Sequence, residues 1–217
     1  MKNLAKNFLS KEEENEIIES VKKVEQVTSG EIMPMIVSAS DHYSAADFIG
    51  SISLALFLSI IIMLFKGSEN MWIFLAIFGV SFIILYEIIK RVPALKRLFI
   101  SANDMEKAVE ETALTSFYRK GLGNTRDHTG ILIFISVFEK KVWVLADKGI
   151  NEKVKPSAWK EVIELVTKGI KEGKQGEAIC KAIGQCKDIL KDSFPVRADD
   201  IDELANLVVE GEVDSLN

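Results

Sequence analysis

The spacing of apolar residues changes character twice along this chain. From Ser10 to Val24 it is helical: Ile17, Ile18, Val21 and Val24 fall on one face between charged positions. Ser10 with Glu13 three residues on is a capping box that sets the start of this helix, and Thr28-Ser29-Gly30 ends it. Glu31–Ser38 (EIMPMIVS) reads as a strand, and Pro34 inside it has no N–H to give a ladder, which predicts a place at a sheet edge. Periodicity then stops. Phe48–Phe65 is an unbroken apolar run with no ionisable side chain, and Met71–Ile89 is a second with one, Glu87; only KGSEN lies between them. About 18 residues rise roughly 27 Å as a helix, enough to cross a bilayer core, so residues 48–89 are expected to be a transmembrane helical hairpin. The competing arrangement, a buried core pair in a soluble helical protein, fits poorly with so little charge over both runs.

Beyond the hairpin the mixed pattern returns. Asn103–Lys120 is an expected helix with Met105, Ala108, Val109, Thr112, Ala113 and Phe117 on its inner face, stopped by Gly121 and Gly123. Ile131–Val137 (ILIFISV) is a continuous apolar run of the buried-strand type. After the turn FEKK, Val142–Ala146 completes a β-hairpin. Pro156–Lys171 and Gln175–Lys191 are amphipathic helices divided at Gly173, and Ile201–Glu210 reads as a short acidic helix. This order predicts an α/β domain with a mixed sheet of order 1-2-3. Strand one is parallel to strand two through a helical crossover and lies at the edge, and strand three is antiparallel to strand two. The expected organisation is residues 1–47 and 90–195 as two parts of one α/β domain, 48–89 as the inserted hairpin, and 196–217 as an acidic tail.

Composition narrows the setting. The 217 residues carry a formal charge of −5, and no basic stripe with interleaved aromatics appears, so nucleic acid is not an expected partner. Cys180 and Cys186, six apart on a helix, point to different faces, which fits two reduced side chains better than a local disulfide or a shared metal. Lys90, Arg91, Lys96 and Arg97 crowd after the second span, and the positive-inside rule puts that end in the cytoplasm. A hairpin returns to its own side, so both termini are expected to be cytoplasmic in a two-span cell-membrane protein. Strand one would then run toward the membrane, with the Glu139-Lys140-Lys141 turn facing lipid and the opposite end of the sheet facing the cytosol. Trp72 fits an interfacial anchor, and Glu87 and Arg91 an i,i+4 pair. Asp41, His42 and Asp47 read as a polar linker in the headgroup region.

Three stretches carry a family resemblance: TSGEIMPMIV at Thr28–Val37, FYRKGLGNTRDHTGILIFIS at Phe117–Ser136, and KVWVLADKGI at Lys141–Ile150, followed by closing amphipathic helices to Phe194-Pro195. They resemble the TPM-domain family, whose members include thylakoid-lumen proteins tied to photosystem II repair and many bacterial membrane proteins. The resemblance implies a three-layer α/β/α sandwich. It also brings two possible activities, since some plant members are described as acid phosphatases and family domains can bind calcium in an acidic patch. The hairpin inside the domain departs from the many relatives that have a signal peptide and a terminal anchor.

The one candidate constellation is the acidic end of the sheet. Glu31, Asp127 and Asp147 have the hard oxygens that Ca2+ or Mg2+ takes, with His128 as a nitrogen donor beside them. The competing reading is solvated loop residues, with Arg126 and Asp127 capping local backbone or pairing. No EF-hand loop, HExxH, P-loop, GxSxG or CxxC motif occurs. Two functions follow. One is a membrane-anchored binding or assembly and quality-control module acting on other membrane proteins. The other is a calcium- or magnesium-dependent phosphatase. The absence of a recognisable catalytic set favours the first.

Overall fold

A computed structural model describes residues 4–67, 69–196 and 204–212, and the chain divides into two compact units, residues 42–105 and the remainder. The larger unit begins with α1 (Lys11–Glu25). Ser10 Oγ accepts the Glu13 N–H, and the Glu13 carboxylate accepts the Ser10 N–H, so the capping box closes in both directions. The helix buries Ile17, Val21 and Val24 and leads into β1 (Glu31–Ala39).

In the second unit, α2 (Ser44–Lys66) and α3 (Met71–Arg91) pack together. Gly67 ends α2 at φ +59°, the left-handed conformation that glycine adopts without steric cost, and Asn70 caps α3 by accepting the Trp72 and Ile73 N–H groups. Phe74, Phe78, Phe82 and Tyr86 form a ladder along α3, with centroid spacings of 6.4, 6.5 and 6.1 Å, and Phe48 of α2 meets Phe82 edge-on. Both helices are long and apolar enough to cross a membrane, and only 22% and 6% of their most apolar stretches are buried. A core pair of a soluble protein would be mostly covered. Arg91 pairs with Glu87 at 2.8 Å, as the i,i+4 spacing predicts. The short α4 (Pro93–Arg97) follows, with its proline at the first helical position. Asp47 is not a solvated linker residue. It lies buried in the first turn of α2 and pairs with Lys96 of α4.

The chain re-enters the larger unit along α5 (Ala102–Arg119). There follow β2 (Gly130–Ser136), β3 (Lys141–Ala146), the short α6 (Lys148–Asn151), α7 (Pro156–Lys171), α8 (Gln175–Leu190) and β4 (Val208–Glu212). The architecture is a three-layer α/β/α sandwich on a mixed sheet. β1 is parallel to β2 in the register Glu31↔Gly130 to Val37↔Ser136, and β3 is antiparallel to β2. Both parallel strands are buried throughout. Ile32, Ile36, Ile131, Ile133 and Ile135 pack under α1, α7 and α8, and Met33, Met35, Val37, Leu132 and Phe134 under Val109, Ala113 and Phe117 of α5.

The sheet order is β3-β2-β1-β4, which corrects two expectations. First, β1 is an interior strand. Its pairing with β4 begins only at Met35, so Pro34 lies in the half of β1 that β4 does not reach and removes no donor from the β4 ladder. Second, residues 208–210 of the expected acidic helix are strand, because Val208 and Val209 are β-branched and β1 offers them an open edge. Residues 201–203 of that stretch lie outside the described residues.

Candidate functional site

The register Glu31↔Gly130 and Ile131↔Ala146 brings the start of β1, the start of β2 and the end of β3 to one end of the sheet. The loop before β2 is tied there by hydroxyl and backbone bonds. Thr125 Oγ1 accepts the Thr129 N–H (3.0 Å), Thr129 Oγ1 donates to the Ser29 carbonyl (2.7 Å), and the Thr129 carbonyl accepts the Glu31 N–H (3.1 Å). These bonds leave His128 in the left-handed region at φ +55°, uncommon for a residue with a Cβ. Its Nδ1 is 3.0 Å from Asp147 Oδ2, a hydrogen bond when Nδ1 carries the proton. Asp147 Oδ1 accepts the Lys148 N–H at 2.7 Å and caps α6, and the Asp147 N–H donates to the Gly130 carbonyl at 2.9 Å.

Of the expected site residues, Asp147 and His128 are therefore joined, Glu31 is buried at the first position of β1, and Asp127 occupies the turn just before His128. Both oxygens of Asp147 are engaged by protein groups. Among the described residues, no group of three or more His, Cys, Asp or Glu side chains is arranged to hold a metal ion.

Next to Asp147 lies a feature that no polar motif marks. A groove of about 500 Å³ runs between α5 and the edge of the sheet, lined by Leu114, Phe117 and Tyr118 of α5, Leu145 of β3, Asp147, and Asn151 of α6. Leu114 and Tyr118 are 48% and 65% exposed and stand four residues apart on one helical face. Trp143 and Leu145 project from β3 onto the same side as the Phe134 core layer and are only half covered. β3 is the outer strand, and on its free side Asn151 Nδ2 donates to the Ala146 carbonyl at 2.6 Å. The sequence held a signal for this groove: Leu114 and Tyr118 are the large apolar residues of α5 that fall off its core-facing stripe.

Among the described residues, a four-stranded mixed sheet with α1, α7 and α8 on one face and α5 on the other defines the class, an α/β/α sandwich. The sequence profile of the TPM domain matches residues 94–189, a region that includes β2, β3 and the helices through most of α8. Among solved structures, the chain is similar in fold to the NMR structure of BA42 protein from the psychrophilic bacterium Bizionia argentinensis. The TM-score is 0.58 and the sequence identity 22%, over 94% of this chain and 96% of that one. No curated protein matches.

Proposed function

We propose that this protein is a two-span membrane protein whose TPM-like domain, on the cytoplasmic face, binds other membrane proteins during their assembly or quality control. The observation that carries this reading is the groove between α5 and β3. It combines β3, the outer strand of the sheet among the described residues, with two exposed apolar side chains at i and i+4 and a half-covered apolar wall. That is the recognition chemistry for an extended segment, which adds a strand to β3 through its backbone and lays alternate side chains against Leu114, Tyr118 and Leu145. The proposed occupant is an extended segment of a client membrane protein.

The alternative is a metal-dependent phosphatase using Glu31, Asp127 and Asp147 around Ca2+ or Mg2+. Its weakness is that Asp147 is already committed to His128 and to the cap of α6.

Co-purification of the full chain from mild detergent is the test. Leu114→Glu with Tyr118→Glu should abolish recovery of bound membrane proteins while changing the unfolding free energy by no more than about 0.5 kcal/mol per site, the range usual for exposed positions. Undiminished recovery by that variant would remove the groove from the function.

A further inference from the structure

The opposite end of the sheet, where β1 and β2 finish, carries a different chemistry. Ser40 Oγ donates to Ser136 Oγ at 3.0 Å, and Glu139, fully buried, accepts the Ser40 N–H at 3.0 Å and the Ser136 hydroxyl. The only acidic residue of the β2–β3 turn is thus turned inward, where the Ser136 hydroxyl and the Ser40 backbone N–H bind it. The cations around it are not. Lys140 stands exposed at the turn in a left-handed conformation, φ +55°. Lys171 is exposed on the last turn of α7, and Lys6 is exposed on the short turn whose Ala5 N–H donates to Ser38 Oγ. Among the described residues none of these three has an ion-pair partner, whereas Lys141 is taken by Glu106 at 2.9 Å.

Between Lys140 and Lys171 lies an apolar groove of about 380 Å³, walled by Phe8, Val137, Val142 and Ile170, with Thr167 on its side. A chain with a net charge of −5 therefore concentrates unpaired positive charge around an apolar depression at one end of its sheet. The polypeptide leaves that same end for the first apolar helix: only Ser40–Tyr43 separate Ala39 from Ser44, a tether of about 14 Å at full extension.

We propose that this groove binds the headgroup of an anionic phospholipid, with the phosphate between Lys140 and Lys171 and the glycerol and upper acyl carbons against Phe8, Val137 and Ile170. The proposal rests on the reading of α2 and α3 as membrane-spanning. It commits to the lipid of the chain's own membrane because the occupant needs both a negative charge and an apolar body. A juxtamembrane lysine strengthens binding to an anionic lipid surface roughly fivefold. The negative end of the α7 dipole offsets part of the gain from Lys171, so Lys140 should contribute more.

The test is native mass spectrometry of the full chain released from nanodiscs of phosphatidylcholine containing phosphatidylglycerol. Insertion is scored separately, by resistance to alkaline extraction. The parent chain should retain phosphatidylglycerol in preference to phosphatidylcholine. Lys140→Asn, which tolerates the left-handed backbone, combined with Lys171→Gln should lower that preference by about an order of magnitude. Lys148→Gln, at the other end of the sheet, should leave it unchanged. A chain that inserts but shows no preference, or whose preference survives the double variant, overturns this proposal alone. A chain that fails to insert overturns the membrane reading as well. Displacement of the lipid by millimolar inorganic phosphate would make free phosphate the ligand and overturn the lipid assignment.

Discussion

Lys96 and Asp47 form an ion pair at 2.9 Å with side chains only 4% and 9% exposed, and Lys96 also donates to the His42 carbonyl. The pair ties α4 to the first turn of α2, where the helix dipole favours the Asp47 charge. Removing one partner leaves the other buried and uncompensated, so Lys96→Met should destabilise this unit by about 3–5 kcal/mol. Lys96→Met combined with Asp47→Leu should recover most of that loss. Unfolding in detergent, followed by circular dichroism, distinguishes the two cases. Equal losses in the single and double variants would mean that packing, not charge, holds the contact.

The same pair bears on topology. Lys96 is buried in its unit, whereas Lys90 and Arg91 are exposed, Arg91 beside Glu87, so the orientation signal after α3 is expected mainly from Lys90 and Arg91. Reporter fusions at Asn217 should give a cytoplasmic signal and a fusion at Gly67 the opposite one. Lys90→Gln with Arg91→Gln should produce a mixed population, whereas Lys96→Gln should not. A uniform non-cytoplasmic signal at Asn217 refutes the proposed orientation.

At the acidic end, a Cβ on Gly149 would lie 2.7 Å from the His128 carbonyl oxygen and 2.8 Å from that of Asp127. Backbone cannot move aside as a side chain does. Gly149→Ala should therefore cost about 1–3 kcal/mol and displace His128 from Asp147. A lowered thermal midpoint together with an altered His128 imidazole resonance is the expected result. An unchanged resonance would show that α6 shifts instead of the loop.

Calcium or magnesium at millimolar concentration should leave the thermal midpoint where it is, because Asp147 already has partners for both oxygens. A true site at a hundredfold excess over its dissociation constant would add about 2.7 kcal/mol. A shift that vanishes in Asp127→Asn with Asp147→Asn would restore the metal-centred reading.

Cys186 is wholly buried in the α1–α7–α8 layer, and desolvation of its thiolate pushes its pKa up to about 12. Below about pH 9 the thiol is protonated folded or unfolded, and titration costs nothing. Between about 9 and 12 the unfolded chain ionises and the folded one does not, so stability falls as pH rises through that window. Iodoacetamide at pH 8 should modify the half-buried Cys180 and spare Cys186 until denaturant is added. Modification of Cys186 at the same rate as Cys180 in the native protein would contradict this burial.

The parts of the fold that were legible in the sequence are those fixed by neighbours in the chain. Ser10 and Glu13 cap α1 within a single turn, and β2 announces itself because Ile131–Ile135 are apolar on both faces. β4 was hidden because two β-branched residues, Val208 and Val209, are too short a local signal to mark a strand. It needs the open edge of β1, and it places Glu210 against Lys120 and Arg119 of a distant helix end. The topology rules did bring Glu31, His128 and Asp147 to one end of the sheet. They did not give side-chain direction, which depends on the left-handed backbone at His128 and on the cap that Asp147 gives α6. Lys96 read as one more surface cation because its partner, Asp47, lies on the far side of both apolar runs.

The pairing of β1 with β2 also sets an order of events during synthesis. β1 leaves the ribosome roughly 90 residues before its partner, a wait on the order of 5–20 s at ordinary elongation rates. Throughout that interval Ile32, Met33, Met35, Ile36 and Val37 have no ladder and no core, while the two apolar helices are being made. On the proposed reading of α2 and α3 as membrane-spanning, their delivery to the bilayer comes before closure of the sheet. A nascent chain that stalls at that step displays a bare apolar strand, the kind of segment that chaperones and proteases recognise, so its fate is decided before any domain exists to misplace.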